Sequence, residues 1–139
     1  MASKDGTIVS LLFGIGRKMR DGEGEAPRYA MLHFHALRYI EGKGKPLMRE
    51  LAAFLRVTPP AATLLVEGLV KDGLLARSLD VKDRRAVRIM LTQKGKTFLA
   101  QGIRKKMRTL KKLFSVLSPK EHDQLIALLR KIGGGDQAV

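Results

Sequence analysis

The sequence predicts a mainly α-helical fold with one small β-hairpin, and three observations lead to it. Apolar residues fill 45% of the 139 positions but aromatic residues only 5%, an aliphatic composition that favours helices over a β-sandwich. Most apolar residues recur every three or four positions, as on one face of a helix. Residues 74–92 instead change to a period of two on either side of a polar turn, as paired strands do, most clearly where Val87, Ile89 and Leu91 occupy every second position. The length suits a single domain over residues 1–139.

Two amphipathic helices are predicted before the centre of the chain. The first covers about residues 7–20 and is followed by a loop at 21–27, which is rich in glycine and acidic residues. The second covers about residues 28–41 and stops where Gly42 and Gly44 interrupt the pattern. The apolar stripe of the first helix consists of Ile8, Leu11, Leu12 and Ile15.

A pair of short helices is predicted next. The third helix covers residues 48–55, and the fourth begins after Thr58 and runs to about Asp72. Thr58 followed by Pro59 marks this start, because threonine caps a helix N-terminus and proline suits the first helical position. Gly73 fits the end of the fourth helix.

The predicted hairpin carries a polar turn, DVKDRR, at residues 80–85. Two helices follow, one at about 93–116 with Thr92 as its predicted cap and one at 118–132 with Ser118 as its predicted cap. A helix pair followed by a basic-tipped hairpin is the pattern of a winged helix-turn-helix, here over residues 46–93. The flanking segments, 7–41 and 93–133, carry apolar stripes that one small domain would struggle to cover. These segments are therefore predicted to form a dimer interface.

The charge of the chain points to polyanionic partners. Lysine and arginine number 27 against 13 acidic residues, a net charge of +14 that is spread along the chain. Such a surplus attracts nucleic acid first and an anionic membrane surface second. No apolar run reaches the length of a membrane span, so no spanning segment is expected. Nucleic acid rather than a membrane is the expected partner. The absence of cysteine excludes disulfides, thiolate metal sites and cysteine nucleophiles, and it fits a cytoplasmic protein.

Several short motifs follow one another between residues 47 and 99. They are Glu50-Leu51-Ala52, Val57-Thr58-Pro59, the segment 69–74 with Gly73, Asp80-x-x-Asp83-Arg84-Arg85, Leu91-Thr92 and Lys94-Gly95. This order resembles the DNA-binding core of MarR-type transcriptional regulators. In that core the hairpin is called the wing, and the combination of the D-x-x-D-R-R motif at its tip with L-T-x-K-G is fairly specific. The resemblance implies a homodimer, clamped by its terminal helices, that binds a pseudo-palindromic operator, and we expect this regulator to repress. It also implies possible release from DNA by a small lipophilic ligand.

The resemblance places the fourth helix in the major groove and the hairpin tip along the minor groove or flanking backbone. The dipole of the fourth helix favours phosphate at its N-terminus. Asp83 would pair with an arginine of the wing and, with Asp80, hold the tip in shape. The exposed face of the fourth helix offers almost no hydrogen-bonding side chain, so methyl contacts and DNA shape are the expected readout. The candidate DNA-binding residues are Thr58, Pro60, Ala61, Thr63, Leu64, Lys82, Arg84 and Arg85.

Other sites are less well marked. The resemblance implies an effector pocket between the dimer helices and the winged module, with Phe13, Tyr29, His33 and Phe34 as candidates that equally suit a core. The histidines are too scattered to predict a metal site, and no cofactor motif or nucleophile–base set is present. The chain is therefore not expected to be an enzyme.

Two other functions stay open. The net charge and the apolar face of the fourth helix also suit an architectural protein that binds DNA with little sequence preference. Pro60 and Leu64 equally suit a winged-helix module that docks on a protein partner. Residues 104–112 hold six basic residues in nine and no acid, which fits either a solvated helix face or a second DNA contact.

Overall fold

The computed structural model describes residues 3–21 and 31–134, and their order of elements confirms the mainly helical prediction with a small hairpin. Helix α1 begins earlier than expected because Ser3 caps it, its hydroxyl accepting the N–H of Gly6 at 3.0 Å. Residues 28–30, the predicted start of the second helix, lie outside the described residues. The elements are α1 (Lys4–Asp21), α2 (Met31–Lys43), α3 (Met48–Leu55), α4 (Pro59–Lys71), β1 (Leu75–Leu79), β2 (Val87–Leu91), α5 (Gln93–Phe114) and α6 (Pro119–Gly133).

The chain divides into two compact units, a central unit of residues 25–104 and a terminal unit of residues 1–24 with 105–139. The central unit is built on an aliphatic core to which α2, α3, α4, the hairpin and the start of α5 all contribute. Burial of one such side chain stabilises a fold by about 1.5–3 kcal/mol. This shared core therefore holds α3, α4 and the hairpin as one body. Its largest fully buried members are Leu37, Ile40, Leu51, Val66, Leu69, Leu75, Ile89 and Leu99.

The hairpin is joined to the segment that leads into α3. Strands β1 and β2 pair in antiparallel register, with Leu75 opposite Leu91. On the other side of β2, Leu47 forms a bridge with Arg88, and the N–H of Ile89 donates to the carbonyl of Pro46 at 3.0 Å. The hairpin and the start of the helix pair are thus tied by backbone hydrogen bonds.

The start of α5 packs tightly on the base of the hairpin. Thr92 caps α5 as predicted, since its hydroxyl accepts the N–H of Gly95 at 3.0 Å and donates to the carbonyl of Gly73. A Cβ atom at Gly95 would overlap the carbonyl oxygen of Leu74 and approach Cδ2 of Leu91 to 3.1 Å. Only glycine fits this junction without movement of the backbone.

The terminal unit exposes much of its apolar surface. Helix α6 begins with the predicted cap, since the Ser118 hydroxyl accepts the N–H of Glu121 at 3.2 Å and the Glu121 carboxylate accepts the N–H of Ser118 at 2.9 Å. No residue of α6 is buried, and Ile132 is 82% exposed. On α1, Leu11 is 63% exposed. The apolar faces of α1 and α6 are therefore largely uncovered in the single chain.

Within the described residues, no single helix has the length and apolarity to cross a membrane. The pair α3 and α4 reaches those values only when both are taken together, and the pair is bent by 108°.

Candidate DNA-binding surface

Helices α3 and α4 form a helix-turn-helix. The bend of 108° between them lies in the range of this motif. Helix α3 ends at Leu55 and is capped by Arg56, whose N–H donates to the carbonyl of Ala53 at 3.2 Å. Thr58 then caps α4, its hydroxyl accepting the N–H of Ala61 at 3.3 Å. Local sequence thus fixes both sides of the turn.

One face of α4 is buried and the other is free. Ala62, Val66 and Leu69 are fully buried, which orients the helix on the core. Thr63 is half-buried, and Leu64 is 72% exposed. The exposure predicted for the outer face is therefore confirmed. That face consists of Pro60, Ala61, Leu64, Glu67 and Gly68.

The N-terminus of α4 has few donors for an anion. A helix normally leaves its first four N–H groups without partners inside the helix. In α4, two of these positions are Pro59 and Pro60, which carry no N–H. The third is Ala61, whose N–H is bonded to the Thr58 hydroxyl. Most of the N–H groups that a helix N-terminus usually offers to a phosphate are therefore missing or already bonded here.

The tip of the hairpin is a shaped, exposed turn. The Asp80 carboxylate accepts the N–H of Asp83 at 3.2 Å, and the Asp83 carboxylate accepts the N–H of Arg85 at 3.0 Å. Short acidic side chains form such turns because they reach the backbone two or three residues on. The side chains of Lys82, Arg84 and Arg85 are exposed, so the turn presents three cations to solvent.

The ion pair of the wing differs from the expected one. Among the described residues, Asp83 bonds to backbone rather than to an arginine side chain. The ion pair of the wing is instead formed by Arg88 and Asp80, in which Arg88 Nε donates to the Asp80 carboxylate at 2.7 Å. This hydrogen bond lowers the pKa of Asp80 below its ordinary value. Arg88 Nη1 also donates to the carbonyl of Lys45 at 2.7 Å, a contact across 43 positions that sequence patterns do not reveal.

Arg56 has an unusual backbone. It is the only non-glycine residue of positive φ in the described part of the chain, with φ 55° and ψ 44°. This left-handed conformation costs a residue with a Cβ about 1–2 kcal/mol. A cation at the C-terminus of α3 recovers about 0.3–1 kcal/mol by its interaction with the helix dipole. The structural cost of an arginine here therefore exceeds its local benefit.

The predicted effector residues occupy different surroundings. Phe34 stacks on Phe98 with ring centroids 5.7 Å apart, His33 is half-buried, and Phe13 on α1 is 69% exposed. Tyr29 lies outside the described residues. The terminal unit contains a cavity of about 470 Å³, lined mainly by apolar side chains of α1, α5 and α6. Its charged lining residues are Lys18 and Glu121, and neither was predicted from the sequence.

Two further features stand apart from the helix pair and the wing. On α5, Arg104, Arg108, Lys111 and Lys112 are exposed. Among the described residues, no group of three or more histidine or acidic side chains is placed to hold a metal ion.

Comparison with known proteins agrees with this winged helix-turn-helix architecture. The family model described as MarR family matches residues 30–87. The repressor YetL of Bacillus subtilis is 30% identical over 131 residues, which span 85% of this chain and 74% of YetL. The uncharacterised regulator YkoM of the same organism is 33% identical over 72% of this chain and 65% of YkoM. The chain belongs to the MarR family of DNA-binding transcriptional regulators.

Solved structures share the fold. A MarR family protein from Bacillus stearothermophilus superimposes with a TM-score of 0.79 at 24% identity, covering 94% of this chain and 90% of that one. BpsR of Bordetella bronchiseptica, whose DNA binding is regulated by 6-hydroxynicotinic acid, superimposes with a TM-score of 0.74. It is 19% identical over 96% of this chain and 95% of its own.

Proposed function

We propose that this chain acts as a homodimeric repressor that binds a pseudo-palindromic DNA operator through α4 and the wing. The observation that carries this proposal is the exposure of the outer face of α4 together with the cationic tip at Lys82, Arg84 and Arg85, on one body fixed by a common core. Helix α4 enters a major groove, and the tip reaches the adjoining minor groove or backbone.

A dimer supplies the second copy of this surface. The uncovered apolar faces of α1 and α6 fall in the segments 7–41 and 93–133, and association of two chains would bury them. Substitution Leu11→Glu should give monomers in sedimentation analysis, whereas Leu79→Glu, at a similarly exposed wing position, should leave the dimer intact. A dimeric Leu11→Glu variant would contradict this interface.

The wing is tested by paired charge removal. The variant Arg84→Gln/Arg85→Gln should bind the duplex upstream of the protein's own gene far more weakly in fluorescence anisotropy at about 150 mM salt. Lys111→Gln/Lys112→Gln removes the same charge from α5 and serves as the matched control. An equal loss in both variants would mean that overall charge, or a second DNA contact on α5, contributes as much to binding as the wing.

Sequence is read by α4 mainly through apolar contacts. Leu64 and Ala61 suit the C5-methyl group of thymine, and Glu67 suits the amino group of cytosine. Replacement of single thymines by uracil in the bound duplex should therefore weaken binding, and Leu64→Ala should remove that sensitivity. Binding that is indifferent to every uracil substitution would refute methyl readout.

A small lipophilic ligand releases the protein from DNA, and the regulation of BpsR by 6-hydroxynicotinic acid, a small aromatic acid, supports control by a small ligand. Phe13, Tyr29, His33 and Phe34 remain the predicted effector residues. A panel of small aromatic acids and phenols, 6-hydroxynicotinic acid among them, tests release by anisotropy. Phe34→Leu should weaken the response to any active compound without weakening DNA binding, and an unaltered response would exclude Phe34 from the site.

An architectural role is the second candidate, because the net charge of +14 and the scarcity of donors on α4 both favour binding without sequence preference. It predicts equal affinity for the upstream duplex and its scrambled version. A preference of about 10³ or more for one duplex would reject it. Failure to bind either duplex would favour a third function, in which Pro60 and Leu64 dock on a protein partner.

A further inference from the structure

The turn between α3 and α4 presents one charged side chain, that of Arg56. We propose that Arg56 binds a backbone phosphate of the DNA beside the N-terminus of α4. It thereby supplies the anchoring contact that this N-terminus cannot make for itself. The inference rests on the proposed function, because it assumes that α4 enters a DNA groove.

The need for such a contact follows from the start of α4. Pro59 and Pro60 offer no N–H, and the N–H of Ala61 is already bonded to Thr58. Contacts to phosphate set the register and orientation of a recognition helix on the duplex. A cationic side chain at the same end of the helix replaces the missing backbone donors.

Arg56 is suited to this role by its position before α4 and by its exposed guanidinium group. It lies two residues before the cap Thr58, and its side chain is exposed. Within the described part of the chain its guanidinium makes no hydrogen bond or ion pair. A guanidinium offers parallel N–H donors that match two phosphate oxygens, which an ammonium group cannot do.

The backbone at Arg56 argues against a purely structural role. At φ 55° the turn favours glycine or asparagine, which tolerate the left-handed region. The N–H of Arg56, which closes α3, would be present with either residue. An arginine at this site therefore gains its value from the side chain rather than from the turn.

The test compares Arg56→Asn with Arg56→Lys and with Lys120→Gln, which removes one exposed charge from α6. Affinity for the upstream duplex and its scrambled version is measured by anisotropy over a range of salt concentrations. Arg56→Asn should weaken binding to both duplexes by about tenfold and lower the log–log salt slope by about 0.9 for each phosphate that is no longer neutralised. Arg56→Lys should retain most of the slope, and Lys120→Gln should match the unsubstituted protein.

Thermal unfolding shows whether Arg56→Asn loses DNA affinity without losing folding stability. Arg56→Asn should unfold at the same temperature as the unsubstituted protein or at a higher one, because asparagine relieves the backbone conformation. Weaker DNA binding together with undiminished stability supports the proposal. An unchanged salt slope in Arg56→Asn would overturn the proposal. A loss of DNA affinity that comes with a lower unfolding temperature would also overturn it, because the loss would then reflect a less stable fold.

Uncharged methylphosphonate linkages identify the phosphate. At one linkage in each half-site, methylphosphonate should weaken the unsubstituted protein but not Arg56→Asn. Equal losses for both proteins at every linkage would refute the contact while leaving the proposed function intact. Failure of the unsubstituted protein to bind DNA would instead refute the proposed function and this inference together.

Discussion

Alanine at position 95 tests the close packing of α5 on the base of the hairpin. In Gly95→Ala the new Cβ would overlap the carbonyl oxygen of Leu74 and lie 3.0 Å from its carbonyl carbon. Both are backbone atoms, so neither can turn aside as a flexible side chain would. Overpacking of this kind costs about 1–3 kcal/mol, here toward the upper end. Alanine recovers up to about 1 kcal/mol through its helix propensity. The expected net loss is therefore about 2 kcal/mol of unfolding free energy.

Urea unfolding followed by circular dichroism measures this loss at a fixed protomer concentration. With a denaturant slope of about 2 kcal/mol per molar, the midpoint of Gly95→Ala should fall by about 1 M. Gly42→Ala on α2 is the matched control, because a Cβ there meets nothing within 4 Å. Because Gly42 lies in the last turn of α2, this substitution should raise the unfolding free energy by at most about 0.5–1 kcal/mol. A midpoint for Gly95→Ala at or above that of the unsubstituted protein would refute the close packing of α5 on the hairpin base.

Three further predictions concern stability. Thr58→Ala should lose about 1 kcal/mol of unfolding free energy in urea while Thr58→Ser loses little, because the cap of α4 depends on the side-chain oxygen. Equal unfolding free energies for Thr58→Ala and the unsubstituted protein would show that this cap contributes nothing. A Cβ at position 102 would overlap the Phe34 ring, so Gly102→Ala should be destabilising. Phe34→Leu should relieve part of that cost in a double-mutant cycle, and strict additivity would contradict the contact. In the folded protein, the hydrogen bond from Arg88 lowers the pKa of Asp80, and the hydrogen bond from the Ser118 backbone lowers the pKa of Glu121. Both carboxylates therefore stabilise the fold at neutral pH, and this contribution should decline as the pH falls below about 4. Asp80→Asn and Glu121→Gln should each flatten that decline in urea midpoints measured against pH, and unaltered profiles would count against both interactions.

Elements with local signals were predictable from the sequence. Thr58 with Pro59 and Ser118 with Pro119 mark helix starts by chemistry contained within a few residues, and both caps are present. The change to a period of two within 74–92, on either side of a polar turn, likewise predicts the hairpin, whose strands occupy Leu75–Leu79 and Val87–Leu91. The outer face of α4 follows from helical periodicity alone. Such features depend on neighbours along the chain, so a single sequence is enough to find them.

Features that depend on distant partners were not predictable. Arg88 appears in the sequence as one of several alternating residues, yet it joins Asp80 at the wing to Lys45 before α3. The motif around Gly95 suggests a helix start, but the overlap with Leu74 appears only in three dimensions. The left-handed conformation of Arg56 was missed as well, because the sequence places an arginine where glycine would have signalled it.

The hydrogen bonds of Arg88 connect the wing to the segment before α3 and so limit how far the wing can move relative to α4. Because one guanidinium bonds to both the wing and the segment before α3, a movement of the wing relative to the helix pair would break at least one of these two hydrogen bonds. If α4 and the wing bind adjoining grooves as proposed, the protein sets the distance from the α4 face to the wing tip, and the bound duplex has to match it with the separation of its grooves. Stiff sequences whose natural groove spacing differs would have to deform, and that deformation costs free energy. Base steps that the protein never touches would thereby influence where it binds.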